Sequence, residues 1–149
     1  MADTGDVSTL HKAFAGATAI FAVTHYWSPF FSLPRPKIPE GQSLREYGYD
    51  NELKHDQNIA DATAAVDTLT HFIWPALPSP KKASNGKYSG IYHFDSKVAI
   101  TDYIREKQRE LAKKMSVIYI SFHISNILLS DMMKVRQMSC LNKSTQLTT

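Results

Sequence analysis

Three short, almost uninterrupted apolar runs constrain this chain more than any other feature. Residues 17–24 (ATAIFAVT), 71–74 (HFIW) and 117–122 (VIYISF) are each of strand length, and the first is nearly continuous. A strand with one face in water alternates apolar and polar residues. A strand covered on both faces does not, and such strands belong to parallel sheets. The sequence between the runs carries helical patterns, so the order reads helix, strand, long loop, helix, strand, loop, helix, strand. That alternation predicts right-handed βαβ units and an α/β fold with a parallel sheet flanked by helices.

The first helix is expected over Val7 to Gly16, with Ser8 as cap, Leu10 and Phe14 one turn apart, and Gly16 as the stop. The stretch from His25 to Gly48 holds Pro29, Pro34, Pro36, Pro39 and Gly41 and reads as a long irregular loop. A second helix is expected from about Glu52 to Val66, with Ile59, Thr63 and Val66 on one side. Pro75, Pro78 and Pro80 open another loop, running to about Phe94. Asp95 to Lys113 reads as the clearest helix, capped by Asp95 or Ser96, with Ile100, Tyr103, Ile104, Lys107 and Leu111 as its stripe. From Ser130 the chain is polar and Met-rich without a period, so residues 130–149 read as a poorly ordered tail.

Composition removes several function classes. A net charge of +3 over 149 residues, with no basic stripe, argues against direct nucleic-acid binding. The single cysteine, Cys140, forms no internal disulfide and has no partner at zinc spacing, which points to a reducing compartment, the cytoplasm or the nucleus. Met1 to Val7 lacks the apolar run of a signal peptide. The most apolar stretch, Val117 to Leu129, is interrupted by His123 and Asn126 and falls short of the ~20 residues a membrane span needs. The six histidines include no pair at metal-ligand spacing.

In open parallel sheets, ligands bind beyond the carboxyl ends of the strands. Three segments meet that description: Thr24-His25-Tyr26, Pro75-Ala76-Leu77, and Phe122 to Asn126. The first and third offer a hydroxyl, imidazoles, a phenol and an amide. The glycine-rich turn that cradles a dinucleotide pyrophosphate, GxGxxG or GxxGxxG, is absent from the sequence.

Six segments in order resemble the NmrA-like family, atypical members of the short-chain dehydrogenase/reductase superfamily. Gly5-Asp6-Val7 with Leu10 and Ala15-Gly16 resembles the stretch after the family's third strand. Phe21 to Trp27 (FAVTHYW) resembles its fourth strand and exit, and Asn58 to Ala62 the helix that follows. His71 to Trp74, with Leu77-Pro78 and Lys81 to Tyr88, resembles its fifth strand and loop. His93-Phe94-Asp95-Ser96-Lys97, followed by Tyr103-Ile104-Arg105, is the most distinctive match. Val117 to Asn126 resembles its sixth strand.

The resemblance covers about residues 5–129 and implies part of a Rossmann-like domain that binds NADP or NAD. It implies that Asp6 and Val7 lie at the adenine, that Thr24, His25 and Tyr26 line the ribose and nicotinamide side, and that Gln57 lies near the cofactor. It implies that His123, Ile124, Ser125 and Asn126 close over the nicotinamide end. Lys97 corresponds to the superfamily's ribose-binding lysine, and His93 stands where the superfamily has its catalytic tyrosine. An imidazole there is able to act as acid or base near neutral pH.

Departures from the family pattern shape the expectation. By this resemblance the chain begins where the third strand ends, so the first βαβ units with their phosphate loop lie outside it, as does most of the C-terminal part. Asp56-Gln57 replaces a Gly-Lys pair, His25 replaces an asparagine, and Pro75 stands where a serine often follows the fifth strand. Residues from about Ser28 to Tyr47 form a proline-rich insertion. At ~1 kcal/mol or more for each lost charge-assisted bond, weak or no dinucleotide binding is expected of this chain alone. Three functions stay open: an NADP-dependent oxidoreductase or its remnant, resembling accessory reductases of fungal metabolism; a redox-sensing regulator that acts on a transcription factor by contact; and an interaction module completed by a protein partner or a second copy.

Overall fold

A computed structural model describes residues 2–119 of the chain. Three parallel strands form one sheet in the order β1-β2-β3: β1 Ala19–Phe21, β2 His71–Ala76 and β3 Met115–Tyr119. The fold is a partial Rossmann-like α/β arrangement, as the three apolar runs require. Each strand differs in extent from its apolar run. β1 is shorter than residues 17–24, and β2 runs on through Pro75 to Ala76. β3 begins two residues early, and the end expected at Phe122 lies outside the described residues.

Helix α1 spans Val7–Phe14 and is capped by Asp6, whose carboxylate accepts from the Ser8 amide at 2.9 Å, rather than by Ser8 itself. The long loop is shorter than the prolines imply. Ser28–Phe31 forms a one-turn helix, α2, with Pro29 in its first turn, where a missing N–H costs nothing. Helix α3 starts at Leu44 and runs to Ala64. Its start is fixed by a capping box: the Glu46 amide donates to the Ser43 hydroxyl at 3.2 Å, and the Ser43 amide donates to the Glu46 carboxylate at 2.8 Å. The supposed insertion therefore contains the helix N-terminus.

Past the short α4 (Pro80–Ala83), the single helix expected over 95–113 is two. Helix α5 spans Tyr92–Lys107 and α6 spans Arg109–Lys114, with Gln108 between them at φ −114°, ψ 59°. Asp95 and Ser96 lie inside α5 and cap nothing. The bend is tied to α3 through Asp61, whose Oδ1 accepts from Tyr103 Oη at 2.8 Å and Gln108 Nε2 at 2.6 Å.

Ile20, Phe72 and Trp74 point to the same side of the sheet and pack with Leu10, Ile59, Ile100, Ile104 and Leu111 in one core. The opposite side carries Phe21, Val23 and Ile118, which are 59%, 60% and 46% exposed. Among the described residues this second face is largely uncovered. No described helix is long and apolar enough to cross a membrane.

Candidate functional site

The buried stripe of α3 does not stay apolar toward its N-terminal half. Glu52, Asp56, Ile59 and Thr63 recur at helical spacing, and all four are buried. Two carboxylates on such a stripe require a cation opposite them, because an unpaired buried charge is costly. Helix α5 supplies it. Lys97 Nζ lies 3.1 Å from Glu52 Oε1 and 3.2 Å from Asp56 Oδ2, with its side chain only 10% exposed. The ammonium also donates to Thr24 Oγ1, just beyond β1, and sits 4.8 Å from the centroid of the Trp74 ring.

The two acids are unequally satisfied. Glu52 accepts from Lys97, from Thr24 Oγ1 at 3.3 Å and from Ser96 Oγ at 2.5 Å. Asp56 is fully buried, and its Oδ1 has no hydrogen-bond partner among the described residues. Burial raises the Asp56 carboxyl to about 7, against the pull of the Lys97 charge and the Thr24 hydroxyl. With both acids ionised, two negative charges face one positive, leaving −1 in the cluster.

A second group of side chains stands beside this one. Tyr26 is buried and its hydroxyl donates to the Arg45 carbonyl at 2.9 Å. Its ring packs with Trp27, Phe30 and His93, the His93 centroid being 5.8 Å away. His93 also lies 5.4 Å from Trp27 and 4.7 Å from Phe94, and burial in this aromatic setting lowers its pKa. The imidazole is thereby held toward its neutral form.

Of the residues singled out in the sequence, the structure therefore gathers Thr24, Tyr26, His93 and Lys97 at the carboxyl end of β1. The others go elsewhere. The Asp6 carboxylate is spent on its own helix, where hydrogen bonds from the Ser8 hydroxyl and amide hold it below the usual range. Val7 packs against the core. His25 is exposed and its carbonyl accepts from the Ser28 amide. Gln57 follows Asp56 and points about 100° away around α3. His123, Ile124, Ser125 and Asn126 lie outside the described residues. Glu52, Asp56 as a Lys97 partner, Ser96 and Trp74 are additions that the sequence reading lacked. The signal for the two acids was present: a pair at i, i+4 in phase with Ile59 and Thr63.

Lys97 lies on α5, one helical turn after His93, and faces the end of β1 through Thr24. A model of the NmrA-like family matches residues 1–148. The chain belongs to the NmrA-like family. No solved structure matches it. Members of this family generally bind NAD(P), and the surroundings of Lys97 in this NmrA-like chain bear directly on the fit of that group. An ammonium has three donors. Thr24 Oγ1, Glu52 Oε1 and Asp56 Oδ2 are three acceptors around it. No donor is left for a ribose hydroxyl, and the surplus negative charge disfavours a phosphate. In this pairing Lys97 does not fit the nucleotide.

An open groove of about 820 Å³ runs between α4 and the outer side of α5, lined by Tyr49, Lys82, Tyr92, Asp95 and Asp102 among others, and Lys97 is not part of it. Lys82 and Asp102 pair across this groove at 2.7 Å. Among the described residues, no group of three or more His, Cys, Asp or Glu side chains converges as a metal site.

Proposed function

We propose that this NmrA-like chain is a remnant of an NADP-dependent oxidoreductase, one that keeps the family's lysine at the nucleotide end of the sheet but withholds it from the cofactor. The observation that carries this reading is the saturation of the Lys97 ammonium by Thr24, Glu52 and Asp56. A ribose hydroxyl would have to displace a buried carboxylate, and that exchange costs a charge-assisted bond before it gains one. His93 adds no working acid to the site, because its ring is packed among Tyr26, Trp27 and Phe94 and is biased to the neutral form. No proton-transfer step is therefore assigned to it.

The test is a fluorescence titration of the full chain with NADPH at pH 8, alongside NADPH consumption with a panel of small carbonyl compounds. Neither saturable binding below millimolar ligand nor turnover is expected. Micromolar binding that disappears in Lys97→Ala would replace this reading with a working oxidoreductase.

One observation favours a second reading, a protein that acts by contact. Phe21 on β1, Val23 just beyond it and Ile118 on β3 present apolar side chains on the sheet face that is uncovered among the described residues. Exposed apolar patches beside an unpaired strand edge are characteristic of association surfaces. Light scattering of the full chain decides it: a sharp monomer at every concentration up to hundreds of micromolar counts against this reading.

A further inference from the structure

We infer that Asp56 is a proton-operated latch on Lys97: ionised, it takes one of the three ammonium donors, and protonated, it yields that donor to a sugar hydroxyl arriving at the carboxyl end of β1. The inference deepens the preceding proposal and rests on its assignment of Lys97 to the nucleotide end of the sheet. Three observations carry it.

The first is the difference between the two acids. Glu52 is held by Lys97, Ser96 and Thr24 together, whereas the Asp56 carboxylate has Lys97 at 3.2 Å on Oδ2, shares the Thr24 hydroxyl with Glu52, and has no hydrogen-bond partner on Oδ1 among the described residues. A buried carboxylate oxygen with no donor is the atom on which a proton costs least. The second is the charge count. Two acids and one ammonium become neutral when a single proton binds, and the poorly solvated acid takes it. The third is position. Asp56 and Glu52 lie on the same side of α3, so Lys97 released by one stays anchored by the other and by the Trp74 ring. Release then frees a donor without freeing the side chain.

The titratable groups that face Asp56 are Glu52 from its own helix and Lys97 from α5. The loop after β1 contributes only the Thr24 hydroxyl. Tyr26 and His93 stand one step further out, against Glu52 rather than Asp56. A proton taken up by the cluster near neutrality thus belongs to Asp56.

Three measurements on the full chain test this. Carbon-detected NMR of the side-chain carboxyls follows each acid from pH 4 to 9; Asp56 is expected to titrate near neutrality, and a midpoint below pH 5 overturns the latch. Trace acetylation at pH 8, read by mass spectrometry and normalised to the exposed Lys81, reports the freedom of Lys97. It is expected to rise several-fold in Asp56→Ala and less in Asp56→Asn, which keeps an acceptor oxygen. Unchanged labelling in Asp56→Ala overturns the latch even if the NMR midpoint is near neutral. NADP is then titrated at pH 6 and pH 8. Binding several-fold tighter at pH 6, up to about ten-fold for a group that titrates near 7, with that difference lost in Asp56→Ala, supports both proposals, and equal affinity at the two pH values in the parent chain overturns the latch. If no variant binds NADP at either pH while NMR and labelling behave as expected, the latch stands as a device on Lys97 and the nucleotide reading fails.

Discussion

Trp74 engages Lys97 from two directions. Its ring lies 4.8 Å from the ammonium, and its indole N–H donates to Thr101 Oγ1 at 3.2 Å, which in turn donates to the Lys97 carbonyl at 2.6 Å. The central strand is thereby tied to both ends of one residue on α5. Trp74→Phe keeps a ring face near the ammonium and loses the hydrogen bond, so it should cost about 1–2 kcal/mol. Trp74→Ala also empties the core of a fully buried side chain and should cost about 3–5 kcal/mol. Urea unfolding of the two variants against the parent chain checks the ordering.

Lys97→Met removes the ammonium that pairs with both Glu52 and Asp56. Breaking a buried pair from one side leaves uncompensated charge, and a loss of about 3–5 kcal/mol is expected at pH 8. At pH 5.5 the loss should shrink, because a protonated Asp56 no longer needs the cation. Equal losses at the two pH values, again from urea midpoints, would contradict the pairing.

The Asp56 carboxyl also gives the parent chain a pH-dependent stability whose sign is unusual for an acid. Its folded value is about 7 and its ordinary value 3.8. Between these the folded chain holds a proton that the unfolded chain has released. The contribution is therefore fully present below pH ~4 and is lost as pH rises through 7. The stability of Asp56→Asn relative to the parent should accordingly grow from pH 5 to pH 8, by up to about 3 kcal/mol. Thermal melts of both proteins across that range test the slope.

Gly48 lies inside α3, where alanine normally gains about 1 kcal/mol over glycine. Here a Cβ would meet the Tyr26 and Phe30 rings, both at 3.1 Å. Tyr26 cannot easily give way, because it is buried and its hydroxyl is bonded to the Arg45 carbonyl. Overpacking of this kind costs about 1–3 kcal/mol, so Gly48→Ala should be net destabilising. The melting temperature gives the sign, and the fluorescence of the neighbouring Trp27 reports the displaced ring.

The parallel sheet was legible because its strands are apolar on both sides, and periodicity of that kind survives without any knowledge of partners. The start of α3 was harder to see. Ser43 and Glu46 form a recognisable capping pair, but Pro39 and Gly41 just upstream argue for loop, and the capping signal is local and short. The break at Gln108 carries no glycine or proline to announce it; it is held by Asp61, more than forty residues away in the chain. At the site, Lys97 stood out through its immediate neighbours in sequence. Its partners did not, since Asp56 read as the loss of a positive neighbour rather than as the gain of a negative one. Only the packing of α3 on α5 reveals which acid faces which base.

The corner at Gln108 has a bearing on β3. Helix α6 ends at Lys114 and β3 opens at Met115, with no residue between them to take up slack. The bend therefore fixes the phase of the strand. Trimming one position from it would slide β3 along Phe72–Ala76 and exchange its two sides, sending Val117 outward and drawing Ile118 in. The length of a six-residue helix thus decides which half of the last strand the core receives.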